Sequence, residues 1–327
     1  MRYSAVLEDS TVMALLIVSS IRGEQFAAFA RELDPTLDVR VAPNIGKPEE
    51  IEYVLAWQPP KGLLKTLPNL RLIVSVGAGV DALLADPDLP DVPMVRFVDA
   101  DLTGRMTEYV ALHTLYHHRR MSEFRELQSR KVWKYMPEPA AHEVRVGLMG
   151  LGVLGSAAAE ALKVFGYRMR GWSRSPKALP GVTCYAGRDQ LDAFLADTDI
   201  LAVVLPLTPD THGIIDRRLL AKLSRRGRDE RLPGPVLINA GRGGLQVDAD
   251  IFASLEAGEL YAATLDVFET EPLPHSSPLW SHPRVVVTPH NAAESAPAAI
   301  ARYALRQIAA LRAGQPLVNV VDRKQGY

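Results

Sequence analysis

The chain has 327 residues, enough for two domains of ordinary size that each carry a hydrophobic core. Hydrophobic residues make up 47% and charged residues 23% of it, a composition that excludes collagen-like, coiled-coil and intrinsically disordered proteins. The formal net charge is −1, so we expect no basic surface for nucleic acid or for an anionic membrane. A small molecule is therefore the expected partner.

The N-terminal region and the cysteine content bear on the compartment. The single cysteine, Cys184, excludes an intramolecular disulfide and a cysteine zinc site, which favours the cytoplasm. The apolar run Val12–Val18 is far shorter than the roughly 20 residues that span a bilayer, and we predict a strand there. Glu8 and Asp9 precede it, where a signal peptide would carry basic residues. We assign no function to residues 1–10.

Short apolar runs alternate with helical patterns along the whole chain, which is typical of an α/β protein with parallel sheets and crossover helices. A long helix without proline, interrupted only by Gly104, is predicted from Asp101 to about Arg130 as a linker between two domains. A closing helix, Ser295–Ala313, ends at Gly314, as a helix with a C′ glycine should. Periodicity does not decide whether this tail packs on the second sheet or returns to the first.

Five strands are predicted before the linker helix and six after it, and the second set is enough for a complete doubly wound sheet. The first set is Met13–Val18, Leu37–Val41, Tyr53–Trp57, Leu70–Val76 and Met94–Val98. The second set is Val144–Met149, Tyr167–Trp172, Ile200–Leu205, Val236–Asn239, Ala262–Val267 and Val285–Thr288.

The first strand of the second set runs into a glycine-rich turn and then into a helix-forming segment. A GxGxxG motif alone is weak evidence, but this context is the one that a dinucleotide site requires. Gly150 would allow the tight turn, Gly152 would let a pyrophosphate approach the backbone, and Gly155 would let helix and strand pack closely. The alternative is an ordinary strand-to-helix turn. The predicted phosphate-binding residues are Gly150, Gly152, Val153, Leu154 and Gly155.

The residues after the next strand indicate which dinucleotide is bound. An NAD site usually has an acidic residue about 20 positions beyond the glycines, and none is present here. The sequence instead has Ser173, Arg174 and Ser175, which suit a 2′-phosphate that a carboxylate would repel. We therefore predict NADPH, with NADH as the weaker alternative, unless Arg174 is only a solvated loop residue.

Three further stretches each follow a strand of the second sheet, where an open α/β sheet places its ligands. They are Asn239–Gly243, Leu265–Pro274 and Thr288–His290. Together with the glycine turn, they resemble the D-isomer-specific 2-hydroxyacid dehydrogenase family over nearly the whole chain. The closest likeness within it is to bacterial glyoxylate/hydroxypyruvate reductases, on the stretches Trp57–Pro60, Met106–Val110, Gln128, Trp133 and Trp172–Ser175.

This resemblance implies a Rossmann coenzyme domain inserted in a flavodoxin-like substrate domain, with the active site between them. The substrate domain would comprise residues 1–108 and 294–327, and the dinucleotide-binding domain residues 109–293. The resemblance also implies a homodimer. It places further cofactor contacts at Pro206, Leu207, Ala240, Gly241 and Asp266, the last facing the nicotinamide, although a buried capping carboxylate is the alternative for Asp266.

The resemblance assigns the catalytic positions to Arg242, Glu271 and His290, and the residue types fit the reduction of a 2-oxoacid. An arginine fork can hold the substrate carboxylate and polarise the ketone. An imidazole can donate the proton that the oxygen needs, and a paired carboxylate would orient it and favour its charged form. The alternatives are a structural ion-pair arginine, a loop carboxylate and a strand-end histidine.

The substrate-binding prediction lies in the first domain. The loop of Val76, Gly77, Ala78 and Gly79 follows a strand and opens a helix, so its N–H groups could bind the substrate carboxylate, although a plain turn is the alternative. Trp57 would border the pocket and restrict the substrate side chain, unless it only packs in the core.

Several readings stay open. The enzyme could serve another 2-hydroxyacid, or the chain could be a dinucleotide-sensing protein without turnover, although a sensor would need none of the three catalytic residues. The arginine-rich stretch 225–231 is expected to be a solvated surface loop without an assigned role. His113 and His117 have a spacing that could bind metal, but we expect packing surfaces and no metal.

Overall fold

The structure is a computed structural model that describes residues 13–224 and 226–327. The chain divides into two units, Met1–Asp99 with Ser295–Tyr327 and Ala100–Glu294, so the second is inserted into the first. The division falls before the linker helix, not within it at 108/109 as expected, because that helix packs on the second unit. Residues 1–10 and Arg225, for which we predicted no role, lie outside the described residues.

The first unit is built on a five-stranded parallel sheet with strand order β2-β1-β3-β4-β5. This is the flavodoxin-like order. Nearly every side chain of β1 and β3 is buried, as expected for parallel strands that are covered on both faces. All five predicted strands are present: β1 (Ala14–Ser19), β2 (Asp38–Val41), β3 (Ile51–Trp57), β4 (Leu72–Ser75) and β5 (Met94–Arg96).

The C-terminal tail returns to this first unit, which resolves what periodicity left open. Its helices are α1 (Gly23–Leu33), α2 (Asp81–Leu84) and the last helix of the chain, α9 (Pro297–Arg312), which packs against α1. Gly314 ends α9 at φ +63° and donates its N–H to Leu311, as predicted. The tail then pairs with β5 through an antiparallel bridge between Val95 and Val320.

The second unit is built on a seven-stranded parallel sheet with strand order β12-β11-β10-β9-β6-β7-β8. The order of six of these strands is that of a Rossmann fold, to which β12 adds a seventh. The strands are β6 (Arg145–Met149), β7 (Arg168–Ser173), β8 (Val182–Ala186), β9 (Ile200–Val203), β10 (Val236–Asn239), β11 (Ala262–Leu265) and β12 (Val285–Val287). The prediction missed β8, because this edge strand is only partly buried and has no apolar run.

The predicted linker helix is in fact two helices, α3 (Ala100–His118) and α4 (Met121–Ser129). The break is not at Gly104, which lies inside α3, but at Arg120, whose φ of +53° is left-handed. No residue of α4 is buried, so the spacing of its apolar residues did not indicate that a separate helix begins there. The other helices of the unit are α5 (Val153–Val164), α6 (Leu191–Ala196), α7 (Arg217–Leu220) and α8 (Asp248–Glu256).

The described part of the arginine-rich stretch is fixed to the second unit. Arg231 forms ion pairs with Asp229 at 2.6 Å and with Glu143 at 2.8 Å, and the carbonyl of Arg226 accepts a hydrogen bond from the Arg145 side chain. Within residues 13–224 and 226–327, no helix has the length and apolarity that crossing a membrane requires.

Candidate active site

The turn between β6 and α5 depends on its three glycines. Gly150 has φ +113°, a conformation that side-chain-bearing residues rarely adopt. A Cβ on Gly155 would lie 1.8 Å from the carbonyl oxygen of Gly150, so helix and strand pack as closely as predicted. A Cβ on Gly152 would meet nothing within 4 Å, so the backbone is open to a ligand there. The N–H groups of Val153 and Leu154 follow in the first helical turn, where no intrahelical acceptor exists. These features fit a dinucleotide pyrophosphate.

The segment after β7 carries the predicted 2′-phosphate site. The hydroxyl of Ser173 is buried and donates to the carbonyl of Ser175 at 2.7 Å, which holds the turn, while the side chains of Arg174 and Ser175 are exposed. Lys177 is exposed in the same loop. Sequence reasoning passed over Lys177, although a second basic residue in a stretch without acids was a signal for it.

The loops after β9 and β10 lie side by side because these strands are neighbours. Thr211 closes the first loop by donating its hydroxyl to the carbonyl of Pro206 at 2.7 Å, and Leu207 in that loop lies against Gly244. Ala240 in the second loop is buried, and a Cβ on Gly241 would lie 2.7 Å from Leu245. The structure therefore brings these predicted cofactor residues together at one edge of the sheet.

Asp266 is almost fully buried, and its carboxylate caps the loop that follows β12. Oδ1 accepts from the Thr288 hydroxyl at 2.6 Å and from the N–H of Asn291 at 2.9 Å, and Oδ2 accepts from the N–H of Ala292 at 3.0 Å. The carboxylate thus has the capping role that the sequence left as the alternative. A contact with the nicotinamide stays a prediction.

Arg242 follows β10 in a loop that is pressed against the segment after β11. A Cβ on Gly243 would lie 1.8 Å from the carbonyl oxygen of Phe268, so these two backbones touch. Asn239 holds the other side of the loop: its Oδ1 accepts from the N–H of Gly241 at 3.0 Å. The half-buried Arg242 side chain donates to the carbonyl of Gly241 at 2.8 Å. Its positive charge also interacts electrostatically with Glu271.

Glu271 and His290 form a direct pair, although 19 positions separate them. Nδ1 of His290 lies 2.7 Å from Oε2 of Glu271, and Oε1 accepts from the N–H of Phe268 at 3.1 Å. Burial opposes ionisation of Glu271, but His290, the Phe268 N–H and the Arg242 charge outweigh it and lower the pKa of Glu271 below its usual value. Because Glu271 occupies Nδ1, the ring presents Nε2 to a ligand.

In the first unit, Trp57 and the loop after β4 lie together. A Cβ on Gly77 would lie 2.8 Å from the half-exposed Trp57 ring, so this loop position has no room for a side chain. The carbonyl of Gly77 accepts from the Ser75 hydroxyl at 3.0 Å, and that of Ala78 accepts from Arg96 at 3.3 Å. Since N–H and C=O point in opposite directions across a trans peptide, the N–H groups of Ala78 and Gly79 point away from the side chains that bind these carbonyls.

The histidines of α3 are packed within the second unit. His113 Nδ1 and His117 Nε2 both bond the hydroxyl of Thr264, and His118 bonds Tyr167 at 2.7 Å. Among the residues that the structure describes, no group of three or more histidine, cysteine or carboxylate side chains is arranged to hold a metal ion.

Comparison with known proteins identifies relatives of both units. Residues 111–292 match the model of the D-isomer specific 2-hydroxyacid dehydrogenase, NAD binding domain. The chain is 41% identical to glyoxylate/hydroxypyruvate reductase A from Salmonella newport over 290 residues, which are 87% of this chain and 90% of that protein.

Two solved structures resemble the whole chain. One is a D-isomer specific 2-hydroxyacid dehydrogenase from Xanthobacter autotrophicus in complex with NADPH and MES, with a TM-score of 0.90 and 42% identity over 97% of this chain and 100% of that one. The other is the NADPH-dependent glyoxylate/hydroxypyruvate reductase from Sinorhizobium meliloti in complex with NADP and sulfate, with a TM-score of 0.90 and 43% identity over 96% and 100%. This chain therefore belongs to the D-isomer specific 2-hydroxyacid dehydrogenase family.

Proposed function

We propose that this protein reduces small 2-oxoacids, glyoxylate and hydroxypyruvate, to 2-hydroxyacids, of the D series where the product is chiral, with NADPH as reductant. The observation that carries the proposal is the 2.7 Å contact between His290 and Glu271, with Arg242 close enough to act on the same carboxylate. The relatives named as glyoxylate/hydroxypyruvate reductases support the choice of substrate.

The cofactor proposal rests on the glycine turn and on the segment after β7. The open backbone at Gly152 and the N–H groups of the first turn of α5 would bind the pyrophosphate. Arg174 and Ser175 are exposed at the end of the neighbouring strand, where a 2′-phosphate would be bound. Lys177, in the same loop, would add a second positive charge.

The chemistry needs a reductant, an anion holder and a proton donor. The dihydronicotinamide, when bound, supplies the hydride. Arg242 binds the substrate carboxylate and polarises the carbonyl, which favours the negative charge that develops on oxygen. His290 donates the proton from Nε2, since Nδ1 is held by Glu271. Glu271, ionised because its pKa is lowered, fixes the ring and stabilises its protonated form.

We propose that the N–H groups of the loop Val76–Gly79, in the first unit, also bind the substrate carboxylate that Arg242 binds, and that Trp57 restricts the substrate side chain. Two observations support this proposal. Trp57 contacts the loop at Gly77, and the side chains of Ser75 and Arg96 bind two loop carbonyls, which leaves the opposite N–H groups to face another direction. A bulky indole beside the loop favours short 2-oxoacids over aromatic ones.

The test is NADPH oxidation, followed by absorbance, with glyoxylate, hydroxypyruvate, pyruvate and phenylpyruvate. We expect turnover with the first two, little with phenylpyruvate, and loss of turnover with retained NADPH binding in His290→Ala. Turnover confined to another 2-oxoacid would refute the substrate proposal. NADPH binding without turnover on any substrate would instead support the sensor alternative.

We further propose a homodimer in the reducing cytoplasm. Large apolar side chains are exposed on and after α4, which is the surface pattern of an association site: Met121, Val132, Trp133 and Tyr135. Sedimentation should show a dimer at micromolar concentration, weakened by Trp133→Ser and unaffected by Val164→Ser, which changes another highly exposed apolar residue, on α5. A monomer at that concentration would refute the proposal.

A further inference from the structure

One face of α3 is polar although it is buried. Tyr109, His113 and His117 lie four residues apart along the helix, so they share this face. Each is less than 10% exposed and bonds a threonine in or next to a strand: Tyr109 bonds Thr288 just after β12, and both histidines bond Thr264 on β11. These two strands lead into the loops that carry Asp266 and His290.

The hydrogen bonds from Tyr109 run in one direction. Thr288 has one hydroxyl proton and donates it to Oδ1 of Asp266 at 2.6 Å. Its oxygen must therefore accept the 2.7 Å bond from the Tyr109 hydroxyl, which makes Tyr109 the donor. Burial raises the pKa of Tyr109 above its usual value, so the hydroxyl keeps this proton.

Asp266, at the end of this chain, organises the backbone of three consecutive residues. Its main-chain oxygen accepts from the N–H of His290 at 2.8 Å, and its carboxylate accepts from the next two N–H groups at 2.9 and 3.0 Å. His290 has φ +53°, a left-handed conformation that is strained for a residue with a side chain. Such a conformation persists only where the surroundings enforce it.

We propose that Tyr109 is a positioning residue for the reduction: through Thr288 and Asp266 it holds the backbone of His290 in the conformation that places Nδ1 on Glu271. The proposal rests on the proposed function of His290 as the proton donor. Tyr109 does not touch the reacting atoms and acts on the proton donor through two intermediates.

The two histidines next to Tyr109 on α3 add no charge to this hydrogen-bonded chain. Burial lowers the pKa of His113 to about 4 and that of His117 to about 3, so both rings are neutral at neutral pH. The ring centroids of His113 and Tyr109 are 4.3 Å apart, so the neutral imidazole packs against the tyrosine ring without adding charge. The charged groups that act on His290 are then Glu271, which contacts it, Arg242, which acts on Glu271, and Asp266, which caps the loop that carries His290.

The test is Tyr109→Phe, which removes one hydroxyl. We expect kcat with glyoxylate to fall about 3- to 10-fold, the loss for one net hydrogen bond, with an unchanged Kd for NADPH. The alkaline limb of the kcat/KM profile should move to lower pH, because a loosened His290 is less stabilised in its protonated form by Glu271. Tyr167→Phe is the control: it removes a buried tyrosine hydroxyl that bonds His118 on the same helix, away from this loop. It should lower Tm without moving the limb.

A second pair keeps the proposal testable if Tyr109→Phe does not fold. Thr288→Ser retains the hydroxyl and should keep the limb in place, whereas Thr288→Val should move it as Tyr109→Phe does. The proposal is overturned by a limb that stays in place in Tyr109→Phe, by one that stays in place in Thr288→Val if Tyr109→Phe does not fold, and by one that moves equally in Tyr167→Phe. A fully active His290→Ala would instead show that the proposed proton donor is wrong, so the two failures are distinguishable.

Discussion

Replacement of Glu271 by glutamine should move the alkaline limb of the kcat/KM profile to lower pH. The amide keeps the shape of the side chain and removes the charge that lies 2.7 Å from Nδ1 of His290. The carboxylate stabilises the positive charge that the imidazole carries as proton donor, so without it we expect the rate to begin its alkaline fall at lower pH. The pKa of Glu271 is already lowered, so in the native enzyme the carboxylate is charged throughout the neutral range.

The size of the shift follows from the distance and the exposure of the pair. Opposite charges at about 4 Å interact by roughly 1 kcal/mol in water and roughly 4 kcal/mol at an effective dielectric constant of 20. The two side chains are 34% and 36% exposed, and solvent screening at such a site favours the lower part of this range. An interaction of roughly 1 to 2 kcal/mol corresponds to a shift of the alkaline limb by about one pH unit.

The assay is the initial rate of NADPH oxidation with glyoxylate at saturating NADPH and constant ionic strength, from about pH 6 to 10. Glu269→Gln is the matched control, because Glu269 is an exposed carboxylate two residues away that bonds the N–H of Asp248 instead. It should leave the limb in place. A Glu271→Gln enzyme that is slower but has an unshifted profile would refute the reasoning and leave Glu271 as an orienting group only.

Three further predictions concern arginines. Arg174→Asp should weaken NADPH binding by about 10-fold or more and NADH binding much less, because a charge-assisted bond is lost; equal losses in fluorescence titrations would show that Arg174 does not bind the 2′-phosphate. Arg242→Lys should bind NADPH but lose most of its kcat/KM, since lysine lacks the planar fork; near-normal turnover would place the carboxylate elsewhere. Arg145→Met should lower the free energy of unfolding by about 3 to 5 kcal/mol, because it leaves the buried Asp199 carboxylate, now 2.9 Å from Nε, without its counter-charge; a change below 1 kcal/mol in denaturant unfolding would contradict this.

The sequence predicted the strands well wherever burial on both faces produced an apolar run. It missed β8 because an edge strand that includes Thr183 and Cys184 is half exposed and shows no such run. It misplaced the break after α3 because a left-handed residue other than glycine, Arg120, carries no compositional signal.

The candidate site shows a similar division. Residues in recognisable motifs, such as Gly155 and His290, could be singled out from the sequence, because local geometry or resemblance points to them, and the catalytic role of His290 stays a prediction. The bond between Tyr109 and Thr288 could not be predicted, since it joins positions 179 residues apart and exists only once α3 lies on the sheet. The capping role of Asp266 was open for the same reason.

Two segments that the inserted unit separates form the first unit together, and this sets an order for its assembly during synthesis. The helix α1, whose Phe26 and Ala30 are buried, packs against α9, and β5 pairs with Val320, which follows α9 in the chain. All elements of the second unit leave the ribosome before α9 does. A nascent chain can therefore complete the inserted unit first, while α1 lacks its packing partner until α9 has been translated, and incomplete packing of this kind favours aggregation.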